Sequence, residues 1–296
     1  MAASTSRAQL QAMLPRIVLA PSFAVVLLFV YGFIIFTAYL SFTDSKMLPS
    51  FGLVGMLNYE RLWKLPHWWR ALSNLGIFGS LYIVICTVLG LSLAILLDQK
   101  IRAEGVLRPI YLYPMALSFI VTGTAWKWFL DPGIGIEQVV QSWGLENFRF
   151  NWIKDRNMAI YTVVLAAVWQ SSGFVMAMFL AGLRGIDNEI VRAAQMDGAS
   201  SSKLYRRIVI PMLRPIFLSA FVVLAHLAIK SYDLVVALTN GGPGQATELP
   251  ATFMYSYTFT RNSMGIGAAS ATVMLMMIAS IIVPYLYSEL RPERRI

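Results

Sequence analysis

Cysteine and histidine are nearly missing from this chain. Cys86 is the one thiol among 296 residues, and His67 and His226 are the two imidazoles. An internal disulfide framework, a cysteine-ligated metal and a histidine-rich metal centre therefore have no residues to build on. Charge is scarce as well: Asp, Glu, Lys and Arg make up 13% of the chain, where a soluble chain carries roughly 25% because its surface must stay wet. No G-x-x-x-x-G-K-[ST] phosphate loop occurs, nor H-E-x-x-H, G-x-S-x-G or C-x-x-C, so the chain lacks the usual means of cradling ATP and the usual signatures of hydrolytic or redox catalysis.

What the chain has instead is apolar sequence, 57% of its residues, bunched into long runs. A bilayer core needs about 20 apolar residues of helix, because only a helix or a closed barrel hides every backbone polar group from lipid. Six stretches meet that length: residues 17–40, 71–97, 109–130, 158–183, 215–239 and 264–288. Four contain no charged residue; 109–130 contains only Lys127, and 215–239 holds Lys230 and Asp233. Period-two alternation is absent and the runs exceed a barrel strand, so the expected fold is an all-α integral membrane bundle of six transmembrane helices.

The net charge is +9, and the placement of Lys and Arg gives the expected orientation. The 24 Lys and Arg are spread thinly between apolar runs, which is not the clustered stripe of a nucleic-acid binder. Fourteen of them fall in the segments that are cytoplasmic if the amino terminus is inside, as the positive-inside rule asks. The first run is too long for a cleaved signal peptide and reads as a retained anchor. The expected map has a cytoplasmic segment 1–16, an outer loop 41–70, a long inner loop 184–214 and a cytoplasmic tail 289–296. Trp63, Trp68, Trp69, Trp126, Trp128, Trp143 and Trp152 gather on the outer side, where amphipathic rings anchor at the headgroups.

Loop 184–214 reads as two short helical segments, 189–196 and 200–209, flanking Asp197 and Gly198, with Pro211 closing the second. Gly198 can take the left-handed conformation that turns one helix into the next. Spacing alone allows either a compact docking knob or an ordinary interhelical loop.

In the fifth run His226, Lys230 and Asp233 stand four and three apart, one face of a continuous helix. A lysine at that depth must face the bundle or a wet cavity, and an ion pair with Asp233 would offset part of its cost. The pair either locks helices together or lines a transport path. In the fourth run Trp169, Gln170, Ser171, Ser172 and Phe174 interrupt an aliphatic stretch. A ring face beside amide and hydroxyl groups suits a sugar, though serines also serve ordinary helix packing.

The string R-A-A-Q-M-D-G-A at residues 192–199, followed by Tyr205, Ile208 and Pro211, resembles the E-A-A-x-x-D-G-A loop of permease subunits of binding-protein-dependent ABC importers. It departs at Arg192, where that family has Glu, and at Tyr205, where it has Phe. The L-T-N-G-G-P-G segment at residues 238–244 and G-M-L-N-Y at 55–59 resemble carbohydrate permeases of the maltose and glycerol-phosphate type, glucose and other monosaccharide systems included. The resemblance implies the type I ABC importer permease fold in a bacterial inner membrane, with both termini cytoplasmic and residues 71–290 as the permease core. It implies that Arg192, Ala193, Ala194, Asp197, Gly198 and Ala199 belong to a coupling helix, and that Gln170, Ser171, Phe174, Lys230 and Ser231 contact sugar; Trp169, Tyr232 and Asp233, beside them in the sequence, complete the candidate substrate-binding set. It also implies the partners: a second homologous permease subunit, two ATPase subunits carrying ATP and Mg, and a periplasmic sugar-binding protein, with no cofactor on this chain itself. The rival readings are a proton-coupled secondary transporter using Asp233 and, further off, an integral membrane enzyme.

Overall fold

The structure, a computed structural model, describes residues 16, 18–99 and 103–290. The expected cytoplasmic segment 1–16, Arg16 apart, and the tail from residue 291 onward lie outside the described residues. Helices follow one another along the chain: α1 (Val18–Leu40), α2 (Leu57–Lys64), α3 (Pro66–Asp98), α4 (Glu104–Ala116), α5 (Phe119–Phe129), α6 (Ile136–Ser142), α7 (Ala159–Arg184), α8 (Asn188–Met196), α9 (Ser201–Met212), α10 (Arg214–Ile229), α11 (Asp233–Leu238), α12 (Pro250–Tyr255) and α13 (Met264–Leu290). Among the described residues there is no strand beyond one isolated bridge, Thr43 to Leu53.

The chain forms two compact units. One is built on α1, α2 and Ser256–Thr272. Its α1 leaves nearly all its apolar side chains exposed, which in water would be untenable and in lipid costs nothing. The turn after it is tied by Asn58, whose buried Nδ2 donates to the carbonyls of Ser41 at 2.9 Å and Thr43 at 2.7 Å. The start of α13 joins the same turn, with the Met264 and Gly265 N–H groups donating to the carbonyls of Lys46 and Ser45.

The second unit comprises Leu65–Tyr255 and α13 from Val273 onward, and its axis is the packing of α3 on α7. These two helices run parallel. Arg184 at the end of α7 reaches Asp98 at the end of α3, while Arg70 near the start of α3 and Tyr161 near the start of α7 share a cleft. The helix α10 runs the other way, since Gly182 late in α7 faces Ile216 early in α10 and Gly79 early in α3 faces Ala228 late in α10. Phe78, Tyr82, Cys86, Val163, Ala167, Met176, Phe179, Leu224 and Ala228 fill the space between. Small residues set the close approaches, as expected where no hydrophobic effect drives helices together; a Cβ on Gly173 would strike the Tyr111 carbonyl of α4.

Two of the expected continuous spans are broken. Residues 109–130 divide into α4 and α5 with a bend of 99°. The chain is extended at Leu117, and Ser118 starts a new helix by accepting the Val121 N–H on its hydroxyl, so a capping residue inside an apolar run overrides hydropathy. Residues 215–239 divide into α10 and α11, with Lys230, Ser231 and Tyr232 between them. Pro211 does not close the segment before α10 either: α9 runs through it to Met212, and the 62° bend falls at Leu213. A proline near a helix start loses no needed hydrogen bond, which is why Pro215 instead sits in the first turn of α10. Trp68 is not an interface anchor, being fully buried with its ring 5.1 Å from that of Phe253.

Candidate substrate cavity and coupling knob

The breaks in the two spans meet. Just past its own break, α5 packs against α11, where a Cβ on Gly123 would press on Ala237 and the Leu234 carbonyl. Between the breaks lies a cavity of about 100 Å³ lined by Phe78 and Tyr82 of α3, Phe119 of α5, Ala167 of α7, Leu227 of α10 and the run Lys230–Leu234. Unwound backbone inside a bilayer is tolerated only where protein buries it or a wet cavity receives it, so this is where hydropathy alone fails and polar function is expected. Rings from Phe78 and Tyr82 stack with centroids 5.5 Å apart and planes within 6°. Phe119 and Tyr232 add two more rings, the latter paired with Tyr255 at 4.9 Å. Aromatic faces beside a lysine, a serine, a tyrosine hydroxyl and a carboxylate can hold a polyhydroxylated ring, whose C–H face packs on aromatics while its hydroxyls take hydrogen bonds.

Of the sequence-selected residues, Lys230, Ser231, Tyr232 and Asp233 line this cavity. They do so from an irregular segment and the first turn of α11, so the expected single face shared by His226, Lys230 and Asp233 does not exist: α10 ends at Ile229. Lys230 and Asp233 are both exposed and make no ion pair with each other among the described residues. Asp233 opens α11, where its carboxylate favours the positive end of the helix dipole.

The α7 residues sit behind the cavity wall. Ser171 is buried and accepts the Tyr82 hydroxyl at 2.7 Å, which orients the phenol that lines the cavity. Gln170, also buried, donates from Nε2 to the Leu117 carbonyl at 2.8 Å, satisfying an acceptor freed by the break between α4 and α5. Its Oε1 is buried without a partner among the described residues. Phe174 packs on the core, and Trp169 turns outward, edge-on to Trp126 at 5.9 Å. Sequence reasoning missed Phe78, Tyr82 and Phe119. Tyr82 carried a signal, a phenol four residues from a phenylalanine in an otherwise aliphatic run.

At the far end of α3 and α7 stands a knob built from α8 and α9. Asp187 caps α8 by accepting the Glu189 N–H. The helix closes with the Gly198 N–H on the Gln195 carbonyl and the Ala199 N–H on the Ala194 carbonyl, a Schellman closure that requires the left-handed backbone seen at Gly198, φ 76°. Arg192, Ala193, Asp197 and Gly198 are exposed, Ala199 is partly so, and Ala194 is buried against the core. Met196 at the tip is 89% exposed, an apolar side chain held out on a capped turn. A groove of about 240 Å³ between the knob and the helix ends includes Asp98, Arg184 and Tyr205.

The model of the family described as "Binding-protein-dependent transport system inner membrane component" matches residues 86–295. A "Probable ABC transporter permease protein" of Pyrococcus horikoshii is 42% identical, over 95% of this chain and 98% of its own length. The xylose/arabinose import permease protein of Haloferax volcanii is 36% identical, over 87% of this chain and 82% of its own. Among solved structures, a bacterial ABC transporter involved in import of the acidic polysaccharide alginate matches with TM-score 0.83 over 98% of this chain and all of the matched chain, at 17% identity, which speaks to the fold alone. Broken spans around a cavity and a capped knob at the ends of α3 and α7 thus occur in a chain that belongs to the family of inner membrane components of binding-protein-dependent transport systems.

Proposed function

We propose that this chain is the sugar-conducting half of an ATP-driven importer, paired with a second permease, receiving its cargo from a periplasmic binding protein and moved by two ATPase subunits that seat on the α8–α9 knob. The observation that carries the coupling is the knob itself: an apolar tip, Met196, presented on a rigid Schellman turn at the same end as the Asp98–Arg184 pair, where α3 and α7 can transmit a displacement. ATP and Mg belong on the partner ATPases, since this chain has no phosphate loop; closure of those subunits would swing the knobs together and turn the cavity outward. Sugar as cargo is supported by the rings and polar groups of the cavity and by a relative named for xylose/arabinose import. The cavity, about 100 Å³ in this conformation, would have to widen to take a sugar ring.

In a chain carrying Cys86→Ser and Met196→Cys, a short bifunctional maleimide should cross-link the new thiol to a single cysteine placed in the groove of the co-expressed ATPase. A knob that labels with a soluble maleimide yet never cross-links to the ATPase, with the complex intact, would contradict this reading. A proton-coupled carrier is the second reading, favoured by Asp233 as the lone acid of the cavity.

A further inference from the structure

Two arginines that belong to distant parts of the chain converge on one glycine. Arg70, in the second turn of α3, directs Nη1 to the Gly244 carbonyl at 3.4 Å. Arg156, just ahead of α7, lies so close to Gly244 that a Cβ there would stand 3.1 Å from Nε and 3.2 Å from Cζ. Gly244, with φ 54°, therefore both permits the backbone turn and leaves room for the second guanidinium. Both arginines are exposed, and they line a cleft of about 730 Å³ with Ser73, Asn157 and Tyr161.

Neither guanidinium has a carboxylate within ion-pair distance among the described residues. The nearby acids are engaged elsewhere. Asp155 accepts the N–H groups of Asn157 and Met158 on its own turn, and buried Glu248 faces His67. Two like charges fixed on one residue repel each other, and a guanidinium is built to take a carboxylate through two parallel hydrogen bonds. The cleft is also far larger than a small anion needs, and it opens at the end of α3 and α7 opposite the knob.

We infer that the Arg70–Arg156 cleft is a docking socket for a carboxylate side chain on a loop of the periplasmic binding protein. This rests on the import reading above, which puts the cleft on the outer face where a loaded binding protein arrives. Charge in the socket governs affinity and encounter rate rather than the chemistry of transport.

The assembled complex in nanodiscs, with its own loaded binding protein titrated in, tests this through stimulated ATP hydrolysis. Arg70→Gln with Arg156→Gln should raise the half-saturating concentration of binding protein at least tenfold, and should flatten its dependence on salt, because the screened attraction is gone. Should the double variant assemble poorly, the wild-type chain serves with a binding protein whose rim Glu and Asp are changed one at a time to Arg; one such change should produce the same tenfold loss. An unaltered half-saturation in both arms overturns the socket while leaving the importer standing. Absence of any stimulation of the wild-type complex overturns the importer and the socket together. Calorimetric binding of acetate or inorganic phosphate at millimolar affinity, lost in the double variant while stimulation is retained, would assign the cleft to a free anion and overturn the socket.

Discussion

Gln170 illustrates how a polar side chain within a bilayer can look like a ligand contact and serve the fold. Its amide holds the Leu117 carbonyl at the break between α4 and α5, and an orphaned buried acceptor costs about 1 to 3 kcal/mol. Gln170→Ala should therefore lower the unfolding temperature of the solubilised chain by several degrees. A loss of substrate affinity with unaltered thermal stability would show instead that the amide acts on cargo. Outside the membrane, Glu137 of α6 accepts the Phe150 N–H at 2.9 Å and pairs with Arg149 at 3.2 Å. Above all the Phe150 hydrogen bond, then Arg149 and Gln141, hold its carboxyl below the usual glutamate range against the opposing effect of burial. A folded-state value below the unfolded one means that this stabilisation is present at neutral pH and is lost as the pH falls through the folded value. Thermal scans of wild type and Glu137→Gln should differ at neutral pH and converge in acid. Parallel scans at every pH would deny Glu137 that role.

At the scale of elements, the turn between α8 and α9 has the sharpest dependence on one residue. A Cβ at Gly198 meets open space, so Gly198→Val clashes with nothing, yet the left-handed φ strains any β-branched residue by about 1 to 2 kcal/mol. The variant should insert normally while stimulated ATP hydrolysis falls severalfold; full stimulation would mean the Schellman closure is dispensable. This turn was legible in the sequence because Asp-Gly between two short helical patterns is local chemistry. The breaks after Ala116 and after Ile229 were not. Runs of apolar residues carry no mark of where a helix stops, and of the two signals at the first break the Ser118 cap is local whereas the Gln170 amide arriving from α7 is tertiary. That is why Lys230 and Asp233 read as one helical face from spacing, and why Phe119 went unnoticed as a cavity residue.

For the whole molecule, membrane character follows from composition and the family from local strings such as R-A-A-Q-M-D-G-A, whereas the cavity exists only once α3, α5, α7, α10 and the Lys230–Leu234 run are assembled. In the proposed function the energy source lies outside this chain. The most direct test of this is uptake into proteoliposomes holding the full complex, with loaded binding protein outside and ATP inside. Uptake should require enclosed ATP and the binding protein, should survive a proton uncoupler, and should continue in Asp233→Asn at elevated substrate concentration. Accumulation driven by a pH gradient without ATP, abolished by the uncoupler and by Asp233→Asn, would contradict it.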